Sequence, residues 1–237
     1  MHHFNESKIN FFQLNILKWY ANNKREYYWR KHNLSNYQYI IAEVLLQRTK
    51  ADTVAKFYPA FITKFPSWLA LVKANLEDIA EFLRPIGLYT QRAKRLQLLA
   101  IEMIKRKGQI PSDRSELESI PFMGQYIANA VELIIFNKPS PLIDVNMARV
   151  LERFFEPRKL ADIRYDPNLQ QLAYRIVDHS NAKEISWAIL DFAALICQAR
   201  KPKCNSCILR ASCTYYLNYE SSFPTNNRRS QSRRSDK

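Results

Sequence analysis

Glycine is nearly missing from this chain, with 3 residues in 237. Tight β-hairpins draw on glycine for their positive-φ corners, so a sheet-rich architecture is excluded. Acidic residues are also short, 22 against 36 lysines and arginines, for a formal net charge of +14. No stretch approaches the roughly 18 apolar residues of a membrane helix. No secretory core opens the chain: Met1 to Ser7 is mostly polar, and Asn15 and Lys18 break the apolar run from Phe11 to Tyr20. These absences predict a cytoplasmic protein without membrane contact, nucleoid-associated in a prokaryote. No internal repeat is visible. Cysteine is absent before residue 197, which excludes a disulfide framework running through the fold.

What remains is rich in helix. Hydrophobic residues make up 47%, enough for one large domain or two small ones sharing a core. Helical periodicity recurs in an opening segment from Ile9 to Tyr20, then over Tyr37 to Arg48, Thr53 to Phe65, Ser67 to Ala74 and Leu76 to Leu83. It continues over Ala93 to Lys105, Ser115 to Ser119, Gly124 to Asn137, Val145 to Phe155, Gln170 to Ser180 and Glu184 to Cys197. The 11 prolines mark breaks between elements. A polar tail from residue 226, with Arg228, Arg229, Arg233 and Arg234, is too basic to form a core and is expected to be disordered. The excess of positive charge predicts a polyanion partner, with nucleic acid leading.

The four cysteines form one pattern. Cys197, Cys204, Cys207 and Cys213 follow C-x6-C-x2-C-x5-C. Four thiolates without a nearby histidine suit either zinc or a [4Fe-4S] cluster. Two acids also stand out. Glu43 is embedded in Ile41-Ala42-Glu43-Val44-Leu45-Leu46, where burial would raise its pKa and make it a proton donor, while exposure would make it an ordinary helix-edge glutamate. Asp144 precedes a helical run and reads most simply as its cap. The segment Leu117 to Ala130 reads as helix, tight turn, helix, and the start of its second helix is a phosphate site.

Together these residues resemble the helix-hairpin-helix DNA glycosylases that carry an iron–sulfur cluster, the group containing endonuclease III and the MutY-type adenine glycosylases. The resemblance covers about Ile16 to Tyr216. Leu117 to Ala130 is similar to that family's L-P-G-V-G-x-x-T-A hairpin, and Asp144-Val145-Asn146-Met147-Ala148-Arg149 to its D-x-N-x-x-R. Leu190 to Cys197 resembles the helix entering its cluster, and Trp29-Arg30 the early W-R of the mismatch-acting branch. Two residues depart from the pattern. Phe122 stands where the family's first hairpin glycine lies, and Ile127 replaces a threonine. A phenylalanine resists positive φ, so a different turn is expected at Phe122.

The resemblance implies an all-α fold of two lobes. One is a six-helix lobe over residues 22–137 with the hairpin; the other, residues 1–21 plus 138–225, holds a [4Fe-4S] cluster on the four cysteines, and 226–237 is the tail. It also implies a monomeric enzyme acting on double-stranded DNA that contains a mismatch, with DNA lying between the lobes and both acids reaching the extruded nucleotide. Gly124 and Gln125 would contact the backbone. Gln47, with Arg48 beside it, would contact the orphaned base, and Leu88 would intrude as an apolar plug. Arg200, Lys201 and Lys203 would meet phosphates on a loop pinned by the cluster.

Strand-cleaving members carry a lysine where this chain has Tyr126. A phenol cannot form the Schiff base, so base release by water is expected, with Tyr126 against the flipped base or near the sugar. Asp144, ionised, would stabilise the sugar cation and orient water. Glu43 would assist the departing base. The chain stops soon after the cysteines, without the extra domain usual in MutY-type enzymes, which favours thymine opposite guanine over adenine opposite oxidised guanine. A DNA-binding module without activity is the remaining alternative.

Overall fold

The computed structural model describes residues 4–31 and 33–221, so the arginine-rich tail lies outside the described residues. As the glycine deficit predicts, the described chain is helical throughout, with no strand among the described residues. It divides into two compact units. Among the described residues, the hairpin unit comprises 24–142 and 177–183, and the cysteine unit comprises those within 4–23, 143–176 and 184–221.

In the hairpin unit, α2 (Asn36–Leu46) opens on a capping box. The Ser35 hydroxyl accepts from the Gln38 N–H at 3.2 Å, and the Gln38 side chain accepts from the Ser35 N–H at 3.0 Å. The unit continues with α3 (Ala51–Lys64), α4 (Trp68–Lys73), α5 (Leu76–Leu83) and α6 (Tyr89–Lys105). It closes with α7 (Arg114–Ser119) and α8 (Gln125–Ile134). Their apolar stripes meet in one core containing Ile40, Leu45, Tyr58, Phe61, Leu71, Leu96 and Val131. Each such burial stabilises the fold by roughly 1.5–3 kcal/mol. A polar knot fixes the exit from α8. Glu132, buried, receives Arg114 Nη1 at 2.7 Å, Lys138 Nζ at 2.6 Å and the Ser140 hydroxyl at 2.8 Å. Burial opposes its ionisation, but Lys138, Ser140 and Arg114 outweigh that and hold its pKa below the ordinary value. Asn129 Nδ2 then donates to the Pro141 carbonyl at 2.8 Å, which fixes the segment leading toward Asp144.

The cysteine unit packs α1 (Glu6–Asn23), α9 (Val145–Phe154), most of α10 (Pro167–Val177), most of α11 (Ala182–Leu195) and α12 (Thr214–Ser221). Phe12 lies 5.1 Å from Phe154 and 5.6 Å from Phe155, and Trp19 meets Phe192 edge-on at 5.1 Å. Gln13 Nε2 donates to the Ile176 carbonyl at 2.9 Å. Helix α10 starts at Pro167, earlier than its periodicity indicates. Asp166, fully buried, accepts from the N–H groups of Lys159, Leu160 and Leu169 at 2.7, 2.8 and 2.8 Å, and Pro167 suits a first helical position. Helix α12 is not marked by any apolar stripe in the sequence. It is anchored by its first residue: the Thr214 hydroxyl lies 3.0 and 2.8 Å from the Phe154 and Phe155 carbonyls and receives Lys8 Nζ at 2.8 Å.

Candidate functional site

Glu43 sits on α2 with Ile41, Ala42, Val44 and Leu45 buried around it, and is itself only 3% exposed. That closes the helix-edge reading of this acid. Tyr39 lies one turn earlier on the same helix and is also buried. Its phenol is pushed well above its ordinary pKa by burial, and further by the neighbouring Glu43 and Tyr126. Tyr39, Glu43 and Tyr126 are therefore one cluster within the hairpin unit. Sequence reasoning did not single out Tyr39; its signal is the four-residue spacing to Glu43, which puts both on one helix face.

The helix expected through Arg48 stops at Leu46. Gln47 is half-buried in the following turn, and Arg48 takes a left-handed φ of 59° and is exposed. Leu88 behaves similarly. It follows Gly87, has a left-handed φ of 53° and is 48% exposed, so it is not a core leucine. Helix α6 begins immediately after it.

Phe122 corrects the expectation for the hairpin turn. It adopts a φ of 68° despite its side chain, so the left-handed corner forms without glycine. The ring packs against the unit's core, and the Arg95 guanidinium lies 5.3 Å from its centroid. Gly124 then occupies the N-cap of α8 with an ordinary φ of −66°. It brings no side-chain acceptor, unlike Ser35, Ser67, Asp113 and Asp144 at the starts of α2, α4, α7 and α9. A Cβ at Gly124 would meet nothing within 4 Å, so open space lies in front of this helix start. Gln125 and Tyr126 are its first two residues, both half-buried.

In the cysteine unit, Asp144 does cap α9. Its Oδ1 accepts from the N–H groups of Asn146 and Met147, each at 2.8 Å, and its Oδ2 accepts from Asn146 Nδ2 at 2.7 Å. Burial raises its pKa, against these donors and the Arg149 cation. The D-x-N-x-x-R spacing thus has a physical meaning. Asp144 starts the helix, Asn146 braces the carboxylate, and Arg149 Nη2 holds the Asn146 amide oxygen at 3.1 Å. Arg149 continues to the carbonyls of Ala193 and Cys197 at 3.1 and 3.0 Å. Arg153, one turn on, reaches the carbonyls of Gln198 and Ala199 at 2.8 and 2.9 Å.

The four cysteines are free thiols, all half-buried. They line one recess, together with Arg153, Ile196 and Tyr215. Burial pushes the Cys207 thiol up to about 11, and the other three cysteines add to that rise. Among the described residues, no three histidine, cysteine, aspartate or glutamate groups gather closely enough to hold a single metal ion. Arg200, Lys201 and Lys203 are exposed on the segment between the first two cysteines.

A family model described as HhH-GPD superfamily base excision DNA repair protein matches residues 41–173. The thymine/uracil-DNA glycosylase of Pyrobaculum aerophilum is 36% identical over 211 residues, spanning 86% of this chain and 91% of its own length. The solved structure of a thermostable thymine-DNA glycosylase aligns with a TM-score of 0.80 at 32% identity, covering 90% of this chain and 98% of that one. An endonuclease III trapped as a covalent intermediate with DNA shares the fold, with a TM-score of 0.78 at 23% identity over 92% of this chain and 100% of that one. The chain belongs to the HhH-GPD superfamily of base excision DNA repair proteins.

Proposed function

We propose that this chain is a monofunctional glycosylase that removes thymine or uracil paired with guanine in double-stranded DNA. The relatives named for thymine and uracil support the substrate. The observation that carries the mechanism is the Asp144 carboxylate, braced by three N–H donors at the start of α9. Breaking the bond between C1′ and the base nitrogen leaves a cationic sugar, while the electron pair departs with the base. A fixed carboxylate stabilises that cation. Water then adds at C1′, with Asp144 accepting its proton. Glu43, buried on α2, gives a hydrogen bond or its proton to the departing base. Tyr126 provides no amine for an imine, so the product is an abasic site with an intact strand.

Backbone contacts come from the α8 start at Gly124 and Gln125 and from Arg200, Lys201 and Lys203. Gln47 and Leu88, on the turns at the end of α2 and the start of α6, fill the gap left by the extruded nucleotide, with Arg48 beside Gln47. The cysteines fit a [4Fe-4S] cluster. Four free thiols with no histidine line one recess, a donor set of the kind that holds such a cluster. When bound, the cluster supplies metal–thiolate bonds that staple the loop from Cys197 to Cys213.

The test is single-turnover cleavage on T·G, U·G and A·oxidised-guanine duplexes, with and without alkali, and with borohydride. Thymine and uracil release, strand breakage only after alkali, and no trapped adduct are expected. Excision of adenine alone overturns the substrate in favour of an adenine glycosylase. Binding without any excision leaves a DNA-binding module.

A further inference from the structure

We propose that Arg92 is a positioning residue that ties the Gln47 turn and the Leu88 turn into one mechanical unit, so that the two intrude into the duplex together. The inference rests on the reading of Gln47 and Leu88 as the intruding residues. Arg92 lies in the first turn of α6 and is 5% exposed. Its backbone N–H donates to the Leu88 carbonyl at 2.9 Å, closing the helical turn that starts on that left-handed residue. Its guanidinium reaches across to α2. Nη1 donates to the Leu45 carbonyl at 3.0 Å and approaches that of Val44 at 3.4 Å; Nη2 donates to the Gln47 carbonyl and to the Thr49 hydroxyl, each at 2.6 Å.

The placement has a physical logic. Helix α2 ends with carbonyls that lack partners inside the helix, and these carry its negative dipole end. A planar, five-donor cation can satisfy several of them at once, which a lysine cannot. Every acceptor here is neutral, so the charge is committed to backbone and one hydroxyl. Both turns that Arg92 joins contain a strained residue, Arg48 with φ 59° and Leu88 with φ 53°. Strained turns persist only where the surroundings over-determine them, and Arg92 holds both, through its backbone N–H to Leu88 and through its guanidinium to Gln47 and Thr49. Burial lowers its pKa, as does the nearby Arg95, which agrees with a guanidinium held in the interior.

A simple structural cap would stabilise the fold without caring which DNA is bound, and the experiment separates the two roles. Arg92→Gln, Gln47→Ala and their double variant are compared by thermal unfolding, by affinity for a fully matched duplex, and by single-turnover excision from a T·G duplex. A 2-aminopurine beside the target thymine reports unstacking. Arg92→Gln is expected to bind matched DNA within about twofold of the parent, while excision and the fluorescence rise both fall about tenfold. Adding Gln47→Ala should cost no more than about twofold further, because the two changes disable one device. Thr49→Val removes one acceptor without disturbing the core, and should reduce the fluorescence rise about twofold to threefold in the same direction. Arg92→Gln that flips like the parent overturns the inference, as do losses that multiply independently with Gln47→Ala. If Arg92→Gln does not fold, Thr49→Val decides: a parental fluorescence rise overturns the inference. If Gln47→Ala itself changes nothing, the reading of Gln47 as an intruding residue has failed.

Discussion

The two units hold their functional side chains in opposite ways. Every described residue with positive φ lies in the hairpin unit: Asn33, Arg48, Gly87, Leu88, Lys107, Gly108, Phe122 and Asn137. Among the described residues, the cysteine unit has none. Four of the eight, Arg48, Leu88, Lys107 and Phe122, are side chains that a glycine would replace more comfortably, and three of these stand at the turns after α2, before α6 and before α8. The cysteine unit relies on arginine and aspartate bonded to backbone, a device the hairpin unit uses alongside its corners at Arg92 and Asp113. Asp144 starts α9, Asp166 starts α10, and Arg149 and Arg153 grip carbonyls around Cys197. Strain at a corner suits a residue that must project, because the turn exposes it. Saturated hydrogen bonding suits a group that must keep one place while charge develops near it. On the proposed reading, the difference teaches that intrusion and charge stabilisation call for different local construction.

The contrast breaks most visibly at the cysteines. If the loop from Cys197 to Cys213 depends on metal–thiolate bonds, Cys207→Ala should lose the roughly four irons per chain and lower stability by more than about 3 kcal/mol. Iron and sulfide analysis with hydrogen exchange checks this, and protection should fall first in α12 and last in α2 and α6. Equal loss everywhere would mean that the two regions do not differ in what holds them.

A smaller effect is expected at Asn146. Its amide braces Asp144, whose pKa burial has already raised. If the carboxylate acts when ionised, as proposed, activity is full above its folded pKa and fades as pH falls through it. Removing a donor to the anion raises that pKa further. Asn146→Ala should therefore shift the acid limb of single-turnover excision to higher pH and slow the reaction about tenfold near neutrality. An unchanged acid limb would show that the brace is unimportant.

The smallest effect tests the strained corner. Phe122→Gly relieves a left-handed side chain, worth about 1 kcal/mol. It also loses about 1.5 kcal/mol of partial burial and about 0.5 kcal/mol of Arg95 contact. The balance predicts a protein about 1 kcal/mol less stable by denaturant unfolding. A more stable variant would mean that strain outweighs packing at this turn.

Much of this was legible in the sequence because it is local. Helix α5 has Glu77 and Asp78 in its first turn and a clean apolar stripe, and its ends read directly. Asp144 could be read as a cap or as a catalytic acid, and the geometry makes it a cap on a half-buried residue. What was not legible depends on distant partners. The end of α2 is set by Arg92, far along the chain, so periodicity ran on through Gln47 and Arg48. Helix α12 rests on contacts from Thr214 to α9 and α1 rather than on an apolar face. The left-handed Phe122 defies local preference because its ring has a core to pack against. The roles of Asn146 and Arg149 were visible only as a motif until their hydrogen bonds gave the spacing a cause.

The central claim is that Asp144 stabilises charge that develops only as the base leaves. The most direct measurement pairs single-turnover excision with equilibrium binding on one T·G duplex for Asp144→Asn. Asparagine keeps the size and an oxygen for capping but removes the charge. The account predicts excision lowered by about a thousandfold or more, with affinity within a few-fold of the parent. Excision that survives the change, or excision and affinity that fall together, would contradict it.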